Sequence, residues 1–244
     1  MPRFHLGALI ATGAVAALIC TGCSTTAGAP EPAAASTGAS TSASAAAPSL
    51  DGAKAGSAVA AAAKQAKAVH VRGTVSEGGN LNLDLQLNPE SASGTVVQDG
   101  LEIPVLRDGD KYFFRFSQSL IEKAGIPASV GKLLKDKWVP STSKIGAGIG
   151  DAFKQFLDYK TFTDNTIGQL ESAPFTGGEQ TTSGGVPALT FTSPDGTATV
   201  AATEPHYLLR MQEAKSGTLE FSDWDKPTTV TAPKGSEIYS GPGA

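Results

Sequence analysis

Leu81, Leu83, Leu85 and Leu87 alternate with Asn82, Asp84 and Gln86 without a slip. A period of two places the leucines on one face of an extended strand and the polar groups on the other. The segment therefore belongs to a sheet with one covered face. The same period runs through Val69, Val71, Gly73 and Val75 against His70, Arg72 and Thr74. Glu77-Gly78-Gly79-Asn80 divides the two runs as a turn, and Asn88-Pro89-Glu90 breaks the second. Residues 94–98, 101–107 and 111–116 read as further short strands, separated by Asp99-Gly100 and Asp108-Gly109-Asp110. Asp-Gly between alternating runs is a strong hairpin signal. Strands return after Pro174, at 186–192, 197–202, 207–213 and 218–222, with 228–231 as a last one. Connections this short require antiparallel neighbours, because parallel pairing needs long crossovers.

Ahead of the first strand set and between the two sets the period changes. Residues 50–67 are Ala-rich with high helix propensity, and Asp51 is placed to cap the start. In 117–136, Leu120, Ile121, Val130, Leu133 and Leu134 fall at helical spacings interrupted by Gly125 and Pro127, which predicts two short helices. Lys137-Trp138-Val139 reads as a brief extended piece. Residues 144–170 read as one helix, with Phe153, Phe156, Leu157 and Ile167 on a shared stripe after a glycine-heavy start. Separate strand and helix runs define an α+β fold. A curved sheet with helices laid in its concavity either closes into a dry core or leaves an apolar cleft between the layers, and the periodicity leaves both open.

The N-terminus sets the compartment. Arg3 precedes an uncharged apolar stretch from Leu6 to Cys20, followed by Thr21-Gly22-Cys23. A basic start, a short apolar segment and small residues at the cut form a secretory signal. The stretch is shorter than the ~20 residues a permanent spanning helix needs. Thr21-Gly22-Cys23 resembles the bacterial lipobox, whose cysteine receives a diacylglyceryl group and becomes the new N-terminus. The usual leucine three residues earlier is here Cys20. Lipidation at Cys20 would instead put Ile19 at the cut, where a small residue belongs, so Cys23 is the expected site. The alternative is a secreted protein with a spare thiol. Two acyl chains hold a protein stably to a bilayer where one does not. The expected organisation is a signal peptide over 1–22, an anchor and Ser/Ala/Thr tether over 23–49, and one folded domain over 50–240. The tether spans roughly 28 Å by flexible-linker scaling. The expected location is the extracytoplasmic face of the cell membrane. With Cys20 removed and Cys23 capped, no disulfide or thiol chemistry remains.

Composition excludes more than it suggests. The formal charge is −4 with no Lys/Arg-rich run, which argues against nucleic acid as a partner. Two Cys and three His leave little for a metal site, and no metal or cofactor is expected. His70 lies on a polar strand face and His206 in the Glu204-Pro205-His206 turn, each read as a surface residue. Ser183-Gly184-Gly185 lacks the nucleophile-elbow pattern, and Gly146, Gly148 and Gly150 lack the Lys-Ser/Thr of a phosphate loop. Asp108, Asp110 and Asp195 suit turns better than calcium. The chain is expected not to be an enzyme.

The order lipobox, tether, Ala-rich helix, then Val69-His70-Val71-Arg72-Gly73-Thr74-Val75 and Leu81-Asn82-Leu83-Asp84-Leu85 resembles the LppX/LprAFG lipoproteins of actinobacterial envelopes. So do Asp108-Gly109-Asp110-Lys111-Tyr112-Phe113, Lys137-Trp138-Val139 and the stretch from 202–210 into 219–223. The likeness covers roughly 56–239. It implies a half-barrel of antiparallel strands, similar to the LolA and LolB carriers, with helices on the concave face and a cavity for acyl chains of lipids or glycolipids. By position, inward residues Leu83, Leu85, Ile103, Val105, Phe114 and Phe116 would line that cavity, and Leu133, Phe153 and Phe156 would cover it. The implied role is binding and carriage of lipid between membrane and outer envelope. The alternative is a sensor or interaction module with a closed core, whose protein partner the sequence does not name.

Overall fold

The structure is a computed structural model that describes residues 49–76 and 80–244, with backbone alone for 148–151. The signal segment, Cys23, the tether and the turn at 77–79 lie outside the described residues.

Helix α1 (Gly52–Gln65) leads into β1 (Val69–Val75), β2 (Leu81–Asn88), β3 (Ser91–Gln98), β4 (Leu101–Asp108) and β5 (Lys111–Arg115). A helical insert follows, comprising α2 (Gln118–Lys123), α3 (Ala128–Leu134), the short β6 (Trp138–Pro140), α4 (Ala147–Leu157) and α5 (Tyr159–Thr166). After a 3-10 turn (Gly168–Ser172) come β7 (Thr176–Ser183), β8 (Val186–Thr192), β9 (Gly196–Ala201), β10 (Leu208–Glu213) and β11 (Gly217–Ser222). The strands form one 11-stranded curved, open sheet in the order β6-β5-β4-β3-β2-β1-β11-β10-β9-β8-β7. Every neighbouring pair is antiparallel. The two meanders meet where β1 pairs with β11, His70 opposite Ser222 and Val75 opposite Gly217. This is an α+β half-barrel.

The leucine row decides the faces. Leu81, Leu83, Leu85 and Leu87 are buried with Val69, Val71, Val96, Ile103 and Val105. The helices cover that face with Val59, Phe153, Leu157, Phe162 and Ile167. Asp51 caps α1 by accepting from the Ala53 N–H at 3.0 Å.

Three expectations change. The single helix expected over 144–170 is broken at Asp158, whose backbone is extended and whose Oδ1 accepts from the Thr161 N–H at 2.8 Å, capping α5. A side chain that both ends one helix and starts the next leaves the shared apolar stripe intact, so periodicity alone does not show the break. Strand β7 was not expected. It reads Thr-Gly-Gly-Glu-Gln-Thr-Thr-Ser with no buried residue, because it is an edge strand paired on one side only. Residues 228–231 are not a strand. That segment is instead held by Asn88, whose Nδ2 donates to the Thr228 carbonyl and whose Oδ1 accepts from the Thr228 N–H, both at 3.1 Å. The chain then crosses to the far edge, where the Tyr239 N–H donates to the Trp138 carbonyl at 2.9 Å.

Candidate ligand-binding site

The residues expected to line a central cavity form packed core. Leu83, Leu85, Ile103, Val105, Phe114, Phe116 and Phe153 are each at most 4% exposed. Phe153 of α4 drops onto Phe114 of β5 with ring centroids 6.0 Å apart, so helix and sheet touch there. Phe156, one helical turn on, is only half-buried. Leu133 does not cover the strands at all. It is 53% exposed, because Gly131 and Leu134 are the α3 positions turned inward.

Hollow space lies instead at the rim, where the helical layer lifts from the β1–β11–β10 corner. A slot of about 150 Å³ has Val75, Phe156, Phe162, Met211 and Leu219 among its apolar walls. Its lip is polar, with Asn165, Thr166 and Gln169 on the helical side and Glu213 and Ser216 on the sheet side. A second hollow of about 180 Å³ shares Val75, Phe156, Phe162, Asn165 and Thr166, and extends past Gln155. The lining is thus mixed, with apolar side chains set among polar ones, which suits a short length of hydrocarbon beside a polar group.

The lid over this slot, α4 and α5, is fixed at a few points. Phe162 and Ile167 are buried beneath it, and the Tyr159 hydroxyl donates to the Ala63 carbonyl of α1 at 2.8 Å. Burial and the negative charge of Asp225 push the Tyr159 phenol well above its ordinary value, so it stays a donor. At the α4–α5 corner Asp158 Oδ2 meets Arg107 Nη2 of β4 at 3.1 Å. Burial alone would raise the Asp158 carboxyl, but the Thr161 hydrogen bonds and Arg107 hold it below the usual carboxylate value. Arg107 is nearly buried. It also donates to the Pro89 carbonyl at 2.9 Å and lies 5.9 Å over the Tyr112 ring. Its Nε is buried without a hydrogen-bond partner.

A larger groove of about 550 Å³ lies on the opposite face, between the β7–β8 turn and the segment after β11. Most of its charged walls are already paired. His70 Nε2 is 2.7 Å from Asp84 Oδ1, Arg72 donates twice to Asp84 Oδ2 at 3.1 and 2.7 Å, and Lys226 meets Asp223 at 2.9 Å. Burial opposes ionisation of Asp84, yet these donors lower its carboxyl. Ser222 Oγ stands 3.4 Å from His70 Nδ1, so the network braces β11, β1 and β2 together. His70, expected as a solvated surface residue, is thus half-buried and bonded. Tyr207 stacks on Trp224 at 4.8 Å and donates to Asp225; burial and that carboxylate push its phenol up to about 12. His206 keeps its turn position, with Nδ1 3.0 Å from the Ala201 carbonyl. Among the described residues no three His, Cys, Asp or Glu are grouped to hold a metal ion. No described helix is long and apolar enough to cross a membrane.

Periodicity found Phe156 but missed the remaining slot residues. Val75 reads in sequence as one of the alternating apolar positions of its strand, Met211 and Leu219 fall within expected strands without being singled out, and nothing local marks the three as uncovered.

No family model matches the chain, and no curated protein matches its sequence. Solved structures do match. The crystal structure of LprF from Mycobacterium bovis superposes with a TM-score of 0.53 at 13% identity, covering 75% of this chain and 97% of that one. The fold is that of LprF. The lipoprotein LppX of Mycobacterium tuberculosis also aligns, with a TM-score of 0.45 and 16% identity over 73% of this chain and 97% of its own. The LprF-like half-barrel agrees with the fold that the sequence order implied.

Proposed function

We propose that the chain is a lipid-anchored envelope protein that takes an acyl chain of a lipid or glycolipid into the slot beneath α4–α5 and carries or presents it at the extracytoplasmic side. The slot supports this reading: apolar side chains from three distant parts of the chain meet polar ones around one hollow, in an LprF-like half-barrel. Transfer of eight methylenes from water into fully apolar surroundings gains about 6 kcal/mol without any chemistry, an upper value for this mixed lining. Each hollow is smaller than the ~300–1,000 Å³ of ligand sites, so entry requires the α4–α5 lid to swing outward.

Native mass spectrometry of the chain purified from membranes tests this reading. The expected spectrum shows a diacylglyceryl mass on Cys23 and a second, non-covalent lipid released on activation. A domain that is empty and also takes up no fluorescent fatty acid overturns it. The packed centre around Phe114 and Phe153 favours a second reading, a closed interaction module tethered to the envelope. That module predicts no lipid adduct and a crosslinked protein partner instead.

A further inference from the structure

Leu133 is one of two large apolar side chains standing open to solvent among the described residues. Packing explains why it points outward. A Cβ at Gly131 would lie 2.7 Å from the Ile121 side chain, so α3 sits tight on α2 through Gly131 and Leu134. That leaves Lys132, Leu133 and Lys135 on the free side. Lys137 follows, its Nζ donating to the Ser236 carbonyl at 2.6 Å. Next to it the exposed Arg115 guanidinium lies 5.7 Å over the ring of half-buried Trp138. Asp136 is the single acid in residues 128–140, and with Glu102 beside Arg115 and Glu237 beside Ser236 it faces Lys132, Lys135, Lys137, Arg115 and Lys234, so this edge keeps a cationic excess although the chain carries a net −4. Beside Leu133 a hollow of about 380 Å³ opens onto Lys137, Ser236 and Ser240.

We propose that this β6–α3 edge seats on an anionic lipid bilayer, with Leu133 and Trp138 entering the interface and Lys132, Lys135, Lys137 and Arg115 meeting lipid phosphates. An exposed leucine flanked by lysines, beside a tryptophan with one polar end, is the composition of an interfacial contact. A stable protein interface needs more than about 1,000 Å² of complementary surface, and a single open leucine supplies little of it. A nucleic-acid site needs a longer basic track than these four cations in an acidic chain. The proposal deepens the lipid-binder reading, since such a protein must meet the bilayer that supplies its ligand.

Residues 46–244 form one compact unit with its own core and no cysteine, and serve for the test without the anchor. This unit is sedimented with vesicles of phosphatidylcholine alone and of equal parts phosphatidylcholine and phosphatidylglycerol. Binding is expected to the anionic vesicles only, and it should fall as salt is added. Lys132→Ala and Lys135→Ala should each weaken it about fivefold. Leu133→Ser should weaken it by a similar factor while thermal melting stays that of the parent. Fluorescent fatty-acid uptake in free solution should be unchanged in all three variants. Failure of the docking edge is thereby separated from failure of the slot. Equal binding to neutral and anionic vesicles, binding to neither, or variants that sediment like the parent would overturn the proposal.

Discussion

Arg107 closes the inward row of β4 with a charge where its neighbours Ile103 and Val105 are hydrocarbon. Removing a guanidinium from water is costly unless a carboxylate and further acceptors replace the hydration, and Asp158 supplies the carboxylate. One residue thus caps α5, breaks the expected long helix and latches the lid corner to the sheet. Asp158→Asn keeps the capping oxygen and removes the charge. It is expected to cost about 2 kcal/mol in urea unfolding, below the 3–5 kcal/mol of a fully buried pair because the Asp158 side chain is a quarter exposed. The pH dependence has a definite sign. The folded carboxyl lies below its ordinary value of 3.8, so its stabilisation is complete above that value and is lost as pH falls through the lower folded one. The parent should therefore lose stability on acidification below about pH 4, and Asp158→Asn should show a shallower acid limb. An identical acid limb in the two proteins would show that the latch carries no charge coupling.

At the scale of elements, the strands whose faces differ were legible and those whose faces match were not. β2 announces itself because one side of Leu81–Asn88 is buried against helices while the other meets water. β7 has water on nearly every position, so no period could mark it. The coiling of the sheet was partly visible in Gly73 and Gly94. Gly94 holds φ at +152°, and a Cβ there would lie 2.1 Å from the Asp84 carbonyl oxygen of the neighbouring strand. Gly73 meets the Thr218 carbonyl oxygen in the same way, at 2.1 Å. Glycine at such points lets one strand bend hard against the next, and so curves the sheet around the helices. The sequence shows the glycines but not which carbonyl each one faces. Gly94→Ala should therefore destabilise the fold by about 1–3 kcal/mol, read as a lower urea midpoint with an unchanged slope. A variant as stable as the parent would mean that the β2–β3 pair relaxes freely and the curvature is not set there.

For the whole molecule, the question is where two curved layers stop touching, and no local signal answers it. The inward residues of β2, β4 and β5 were read correctly as inward, yet they belong to one packed cluster with Phe153 and Leu157, and Phe114 touches Phe153. The gap falls at the opposite rim, where Val75, Met211 and Leu219 face α5 across a hollow whose position depends on the α4–α5 break. Residues so far apart in sequence are joined only by the β1–β11 pairing, which links the first meander to the last. If this rim is the acyl site, filling it should abolish binding without harming the fold. Thr166 is suited to the test, being half-buried on α5 and lining both hollows while lying outside the packed core. Thr166→Trp places an indole across the slot. The expected result is a loss of fluorescent fatty-acid uptake of at least tenfold, with urea stability held to within about 1 kcal/mol of the parent. Uptake equal to the parent's would place any lipid elsewhere and leave the rim slot a mere imperfection of packing. Joint loss of uptake and stability would call for Thr166→Leu, which fills less and should reduce uptake in proportion to the volume it removes.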